Sequence, residues 1–161
     1  LSQPIRDSVH IHHVGNGGAN SGLPPIIDMA KQHNIANWTE HGGSVSDQYL
    51  MTLRVSCEAL LFPSVSEGFG YPPLESMAAG MKVICADLPS HNELMPDNTC
   101  IAADDADAWR QAITDTCNEW LARKQSKQEL LPNLALIEHC KKFDNRVFCQ
   151  NLKQAYDSLT T

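Results

Sequence analysis

"EALLFPSVSEGFGYPPLESMAAGMKVICAD", residues Glu58 to Asp87, joins two apolar runs through a segment rich in glycine and proline. The first run, Ala59 to Phe62, is nearly continuous in apolar side chains, as expected of a central parallel strand covered on both faces. Pro63 and Ser64 end it. Gly68, Gly70, Pro72 and Pro73 forbid a helix running through them, which leaves Glu67 on a loop. Proline suits the first turn of a helix, so a helix starting near Pro72 or Pro73 is expected next, with Glu75 in its first turn and Gly80 ending it. "KVICAD" is then a second buried strand. Strand, helix and strand in this order make a parallel crossover, and the sheet they begin needs helices to cover it.

The same alternation continues outward. "SVHIHHVG" reads as a strand, since Val9, Ile11 and His13 alternate with His10, His12 and Val14 before glycine ends it. "PPIIDMAKQHN" is a short helix with Pro24 or Pro25 in its first turn, "NWTEHGG" a poorer strand, and "DQYLMTLRVS" a helix capped by Ser44 or Ser46. Downstream, "TCIAA" reads as a short last strand. The helix "DDADAWRQAITDTCNEWLA" follows, with Ala106, Trp109, Ile113, Thr116 and Trp120 on one face, and the remainder is helical, with Pro132 as a start or kink and Asp144 as a cap. The expected fold is α/β: one domain over residues 1–161, an open parallel sheet with helices on both faces. Ligands of such sheets bind at the carboxyl ends of the strands. Those ends are Gly15 to Gly18, His41 to Ser44, Pro63 to Tyr71 and Asp87 to Glu93.

Composition narrows the function. A chain of 161 residues, 42% apolar and 19% charged, suits one folded domain. Its net charge of −7 argues against nucleic acid as a partner, because phosphate binding needs clustered Lys and Arg. Six cysteines with no C-x-x-C spacing read as free thiols in a reducing cytosol rather than as disulfides or zinc ligands. No apolar stretch is long enough to span a bilayer and no signal peptide is visible. A start at Leu1 rather than Met suggests a fragment or a processed polypeptide.

Glu67 and Glu75 lie eight positions apart on either side of the glycine turn. Gly68, Phe69 and Gly70 precede a helix start, so their backbone N–H groups can face an anion such as a diphosphate, and glycine permits close approach. A carboxylate accepts hydrogen bonds from a vicinal diol, as it does for ribose in dinucleotide sites. Two such carboxylates around a phosphate cradle match ribose, diphosphate and hexose in line: a nucleotide-sugar. The competing reading is a tight turn with an exposed Glu67 and a helix-capping Glu75. His10, His12 and His13 resemble a metal cluster, but a strand sends His12 to the face opposite His13. Asp104, Asp105 and Asp107 form a helix start rather than an Asp-x-Asp metal motif, so no metal is expected. His91, at a strand's carboxyl end, either touches the sugar or serves the loop; Trp109 and Trp120 read as core.

The longer string "EALLFPSVSEGFGYPPLESMAAGMKVICADLPSHNEL" closely resembles the signature of retaining glycosyltransferases of the GT-B fold, the group that holds many bacterial mannosyl- and glucosyltransferases. The matching positions are Pro63-Ser64, Glu67, Gly68-Phe69-Gly70, Glu75, Gly80 with Val83, and Glu93, within a likeness running from about Val9 to Ala103. The resemblance implies a Rossmann-like domain forming one half of a GT-B fold, the carboxyl-terminal donor-binding half, with the amino-terminal acceptor domain absent. It implies that Glu75 holds the ribose hydroxyls, that Glu67 is the catalytic residue at the transferred sugar, and that Gly68, Phe69, Gly70 and Tyr71 meet the diphosphate or sugar through their backbone. Ser64, Gly15 and Gly17 in the turn facing the interdomain cleft, and Gly43 where the base packs, complete the implied donor site.

By the same resemblance no metal or other cofactor is needed. The partners are a nucleotide-sugar donor and a glycan or lipid-linked acceptor held by the other domain. The place is the cytoplasm, with peripheral attachment of the full enzyme to the inner membrane face left open. The family's basic Arg and Lys pair lies upstream of Val9, where Arg6 is not equivalent, so the chain alone is expected to be inactive. The aromatic that is usual near the last helix is replaced around Asp144. A GT-B epimerase, a phosphorylase, and a non-catalytic nucleotide-sugar binder or interaction module stand as the competing readings. A phosphorylase would need a pyridoxal-linking lysine, and the only lysine near the motif is Lys82, on an expected buried strand.

Overall fold

A computed structural model of the chain describes residues 3–15, 26–35, 37–41 and 45–159. Helices and parallel strands alternate as expected of a Rossmann-like α/β domain. Helix α1 (Gln3–Ser8) leads into β1 (Ile11–Val14), α2 (Ile26–Gln32), β2 (Trp38–His41), α3 (Asp47–Ser56), β3 (Ala59–Phe62), α4 (Tyr71–Ala78) and β4 (Lys82–Cys85). After these come α5 (Pro89–Leu94), α6 (Ala106–Gln125), α7 (Leu134–Cys140), a 3-10 turn at Lys141–Phe143 and α8 (Asn145–Leu159). β1 pairs with β2 and β3 with β4, both in parallel, so each pair is joined through a helix, as parallel strands require. Among the described residues the ladder runs as these two pairs.

Several sequence expectations are corrected. Gln3–Ser8, ahead of the first expected strand and given no element in the sequence reading, folds as α1. The strand expected at "TCIAA" is reduced to a single parallel bridge, Ile101 to Ala86, because only Ile101 reaches β4: its N–H donates to Cys85 O at 2.9 Å and its carbonyl accepts from Asp87 at 2.7 Å. The segment after β4, read as a loop, carries α5, which Pro89 starts and which is too short for periodicity to reveal. β3 is neither central nor covered on both faces: among the described residues it pairs with β4 alone, and Leu61 is 41% exposed.

The core lies between α4, β4 and α7. Met77, Val83, Cys85 and Met95 form its buried centre, with Leu60, Phe62, Leu74 and Leu136 packed around them. α4 buries Pro73, Ser76 and Met77, a spacing of three and four residues that turns one stripe inward and leaves Tyr71 and Glu75 outward. Side-chain caps hold three helix starts: Ser46 accepts from Tyr49 N–H, Asp105 from Ala108 N–H, and Asn133 from the N–H groups of Ala135 and Leu136. Asp144 plays the expected role at α8, accepting from Arg146 N–H at 2.8 Å.

Candidate functional site

The carboxyl end of β3 opens into the turn that precedes α4. Gly70 is the N-cap, with φ 98° and ψ 47°, and Tyr71, Pro72 and Pro73 are the first three helical residues. The prolines fall where helical N–H groups have no intrahelical partner, so their missing N–H costs nothing. This start is earlier than the sequence suggests and moves Glu75 to the second turn, which leaves no acidic residue in the first. Glu75 therefore does not cap the helix. None of the backbone N–H groups from Gly68 to Tyr71 donates to an acceptor among the described residues. Gly68 has open space where a side chain would be, and Phe69 and Tyr71 are both exposed, their ring centroids 4.8 Å apart.

The two glutamates have different company. Ser64 Oγ donates to Glu67 Oε1 at 2.8 Å, and Ser90 Oγ to the Glu67 carbonyl at 3.5 Å, so the loop carboxylate is steadied from β3 and from α5. Glu75 accepts at Oε2 from Arg54 Nη2, from the last turn of α3. His91 is not at the surface of the site. It is fully buried on α5, its Nδ1–H donating to Ala86 O at 2.8 Å, its ring edge against Phe62, and its Nε2 without a partner among the described residues. Arg54 and Ser90 escape the sequence reading: a basic residue in a last helical turn already has a reason in the helix dipole, and nothing local points from Arg54 across 21 positions to Glu75.

Of the other expected residues, Gly15 lies at the carboxyl end of β1, its N–H reaching His41 O at 3.5 Å; Gly17 and Gly43 lie outside the described residues. His12 and His13 do face opposite ways. His13 pairs with Glu40 at 2.7 Å, while His12 stacks on His10 and His41 and shares a 3.1 Å hydrogen bond with His41. Burial, reinforced by His10 and His41, holds His12 below the usual histidine range. The described residues contain no group of three or more side chains able to hold a metal. Lys82 pairs with Glu119 at 2.8 Å on the flank of β4. A cavity of about 700 Å³ runs along β4, from Glu58, Lys82, Glu119 and Arg123 near its start to Met95 and Ile101 near its end, and Arg54 of α3 also lines it.

Thus the turn into α4 carries four N–H groups without an acceptor among the described residues, three on exposed residues and that of Gly70 on a buried one, with a seated carboxylate before them in the chain and an arginine-paired carboxylate one helical turn beyond. The sequence profile described as "Glycosyl transferases group 1" matches residues 4–130. The chain belongs to this family.

Three of its relatives are mannosyltransferases by name. The O-antigen chain mannosyltransferase RfbU of Salmonella typhimurium is 39% identical over 89 residues, which are 55% of this chain and 24% of the relative. The serotype-specific mannosyltransferase WbdA of Escherichia coli is 29% identical over 142 residues, 77% of this chain and 17% of the relative. The O-antigen chain mannosyltransferase B of Escherichia coli is 36% identical over 84 residues, 52% of this chain and 22% of the relative. The chain therefore spans a quarter or less of the length of these relatives. The family match embraces the whole turn from Ser64 to Glu75 and stops before α7 and α8. No helix among the described residues is long and apolar enough to cross a membrane.

Proposed function

We propose that residues 1–161 form the donor-binding domain of a two-domain glycosyltransferase. It moves a hexosyl group from a nucleoside diphosphate sugar to a glycan or lipid-linked acceptor, which a second domain in the rest of the protein holds. The observation that carries this reading is the run of unbonded N–H groups from Gly68 to Tyr71 with a carboxylate on either side. The diphosphate lies against those N–H groups, where the start of α4 adds the favourable end of its dipole. Glu75 takes the ribose diol and Glu67 the hexose. As the bond from the anomeric carbon to the diphosphate oxygen breaks, charge gathers on that oxygen, facing the turn. The carbon becomes oxocarbenium-like, and Glu67, held by Ser64, either steadies that charge or fixes the hexose hydroxyls.

Transfer with retention, and without a metal, is part of the reading. The names of the relatives support mannose as the transferred sugar and assembly of a surface polysaccharide as the setting. The donor pool then places the protein in the cytoplasm, with the full enzyme at the inner membrane face. Calorimetric titration with UDP, GDP, ADP and their glucose and mannose conjugates tests the site. One diphosphate should bind, and Glu75→Ala should weaken it about tenfold or more, the value of charge-assisted hydrogen bonds to one carboxylate. Absence of binding by every one of them to the folded chain would refute the donor-site reading for these residues.

A further inference from the structure

We propose that Arg54 is a positioning residue for donor binding: it fixes the Glu75 carboxylate so that one oxygen remains presented to the vicinal diol of the nucleotide's ribose. The inference rests on the donor-site reading and adds to it a residue from a different element, α3. The Arg54 side chain is only 14% exposed whereas that of Glu75 is 50% exposed, so the pair is not a chance meeting of two solvated chains. Both tips of the guanidinium are engaged, Nη2 with Glu75 Oε2 and Nη1 with Met51 Sδ at 3.7 Å. Glu75 Oε1 takes no hydrogen bond among the described residues. A carboxylate has about four lone-pair sites, so one bond to Arg54 leaves room for two hydroxyls.

Two physical effects follow. An unpartnered glutamate on an exposed helical face has several rotatable bonds that a ligand must order, and Arg54 has ordered them beforehand. Charge matters as well. Glu75 follows Tyr71 by four residues, a rise of about 6 Å, so an unpaired carboxylate there would repel a diphosphate seated on the turn. The guanidinium offsets that repulsion while leaving the acceptor oxygen in place. Lysine is no equivalent, since it lacks the planar fork that grips Glu75 and Met51 together.

The test compares the tightest-binding of UDP, GDP and ADP with its 2′,3′-dideoxy counterpart, by calorimetry, in the wild type, Arg54→Gln and Arg54→Lys, with circular dichroism to verify folding. The wild type should prefer the ribose form about tenfold or more. In Arg54→Gln that preference should shrink to about threefold or less, mainly through weaker binding of the ribose form, and Arg54→Lys should fall between. A merely structural role would weaken both ligands alike and leave their ratio untouched. A ratio kept at the wild-type value in either folded variant overturns the role of Arg54 and leaves the donor site standing; if Arg54→Gln does not fold, the lysine variant decides. A wild type that binds without preferring ribose overturns this inference together with the diol role of Glu75. A wild type that binds none of the three overturns the donor-site reading itself.

Discussion

At Gly70 the backbone turns through φ +98°, and a Cβ there would lie 3.1 Å from both His91 Cδ2 and Leu94 Cδ1. Gly68, two residues earlier, has nothing within 4 Å of the same position. The two glycines thus do different work, one making the turn and the other leaving room in front of it. Gly70→Ala should lower folding stability by about 1–3 kcal/mol, through left-handed strain and the crowding of His91, as read from urea denaturation midpoints. Gly68→Ala should stay within about 0.5 kcal/mol of the wild type, as a surface substitution does, and yet weaken diphosphate binding. Equal destabilisation by both would contradict this division. Spacing marks Glu67, Gly68, Gly70 and Glu75 in the sequence as a candidate site but leaves a plain tight turn equally open, and it is the resemblance that favours the donor site. What it does not give is what each side chain leans on, because Ser90 and Arg54 reach the site through tertiary packing and leave no local pattern.

At the level of elements, α4 is located at both ends. Its start positions the turn, and its end abuts α7: Gly80 has φ 78°, its carbonyl accepts from Asn133 N–H at 2.9 Å, and a Cβ there would lie 2.5 Å from Pro132 Cβ and 2.8 Å from Asn133 N. Backbone cannot yield as a flexible side chain does. Gly80→Ala is expected to cost about 2–4 kcal/mol, combining the left-handed penalty with overpacking, and to show as a lowered melting temperature. A loss below about 1 kcal/mol would mean that α7 moves freely away from α4. The glycine stop of α4, the buried run of β4 and the caps Ser46 and Asp144 are legible in the sequence because each is a local signal. α5 is not, since six residues that begin with a proline carry no usable period, and β3 reads as central because its apolar run says nothing of which neighbours it will find.

Across the whole molecule, the thiols report how the core is closed. All six cysteines are free; Cys85 and Cys117 are buried, and Cys57, Cys100 and Cys140 are partly so. Burial raises the pKa of each of these five, and Cys85, next to Cys100, is pushed up to about 12 from an ordinary value of 9.0. The native state therefore keeps its thiol protons to higher pH than the unfolded chain does. As pH rises through about 9 the unfolded chain binds fewer protons than the native one, so stability falls with pH, whereas below 9 the contribution is present in full. For Cys85 the fall continues up to about 12, at roughly 1.4 kcal/mol per pH unit. Urea midpoints taken between pH 8 and 10.5 should decline, and Cys85→Ala, although less stable at pH 8 because of the void it leaves, should decline less steeply. Every other titratable group is common to both proteins, so the difference in slope isolates the buried thiol. Parallel slopes would mean that Cys85 reaches solvent in the native state, and that the centre formed by Met77, Val83, Cys85 and Met95 is open to water in solution.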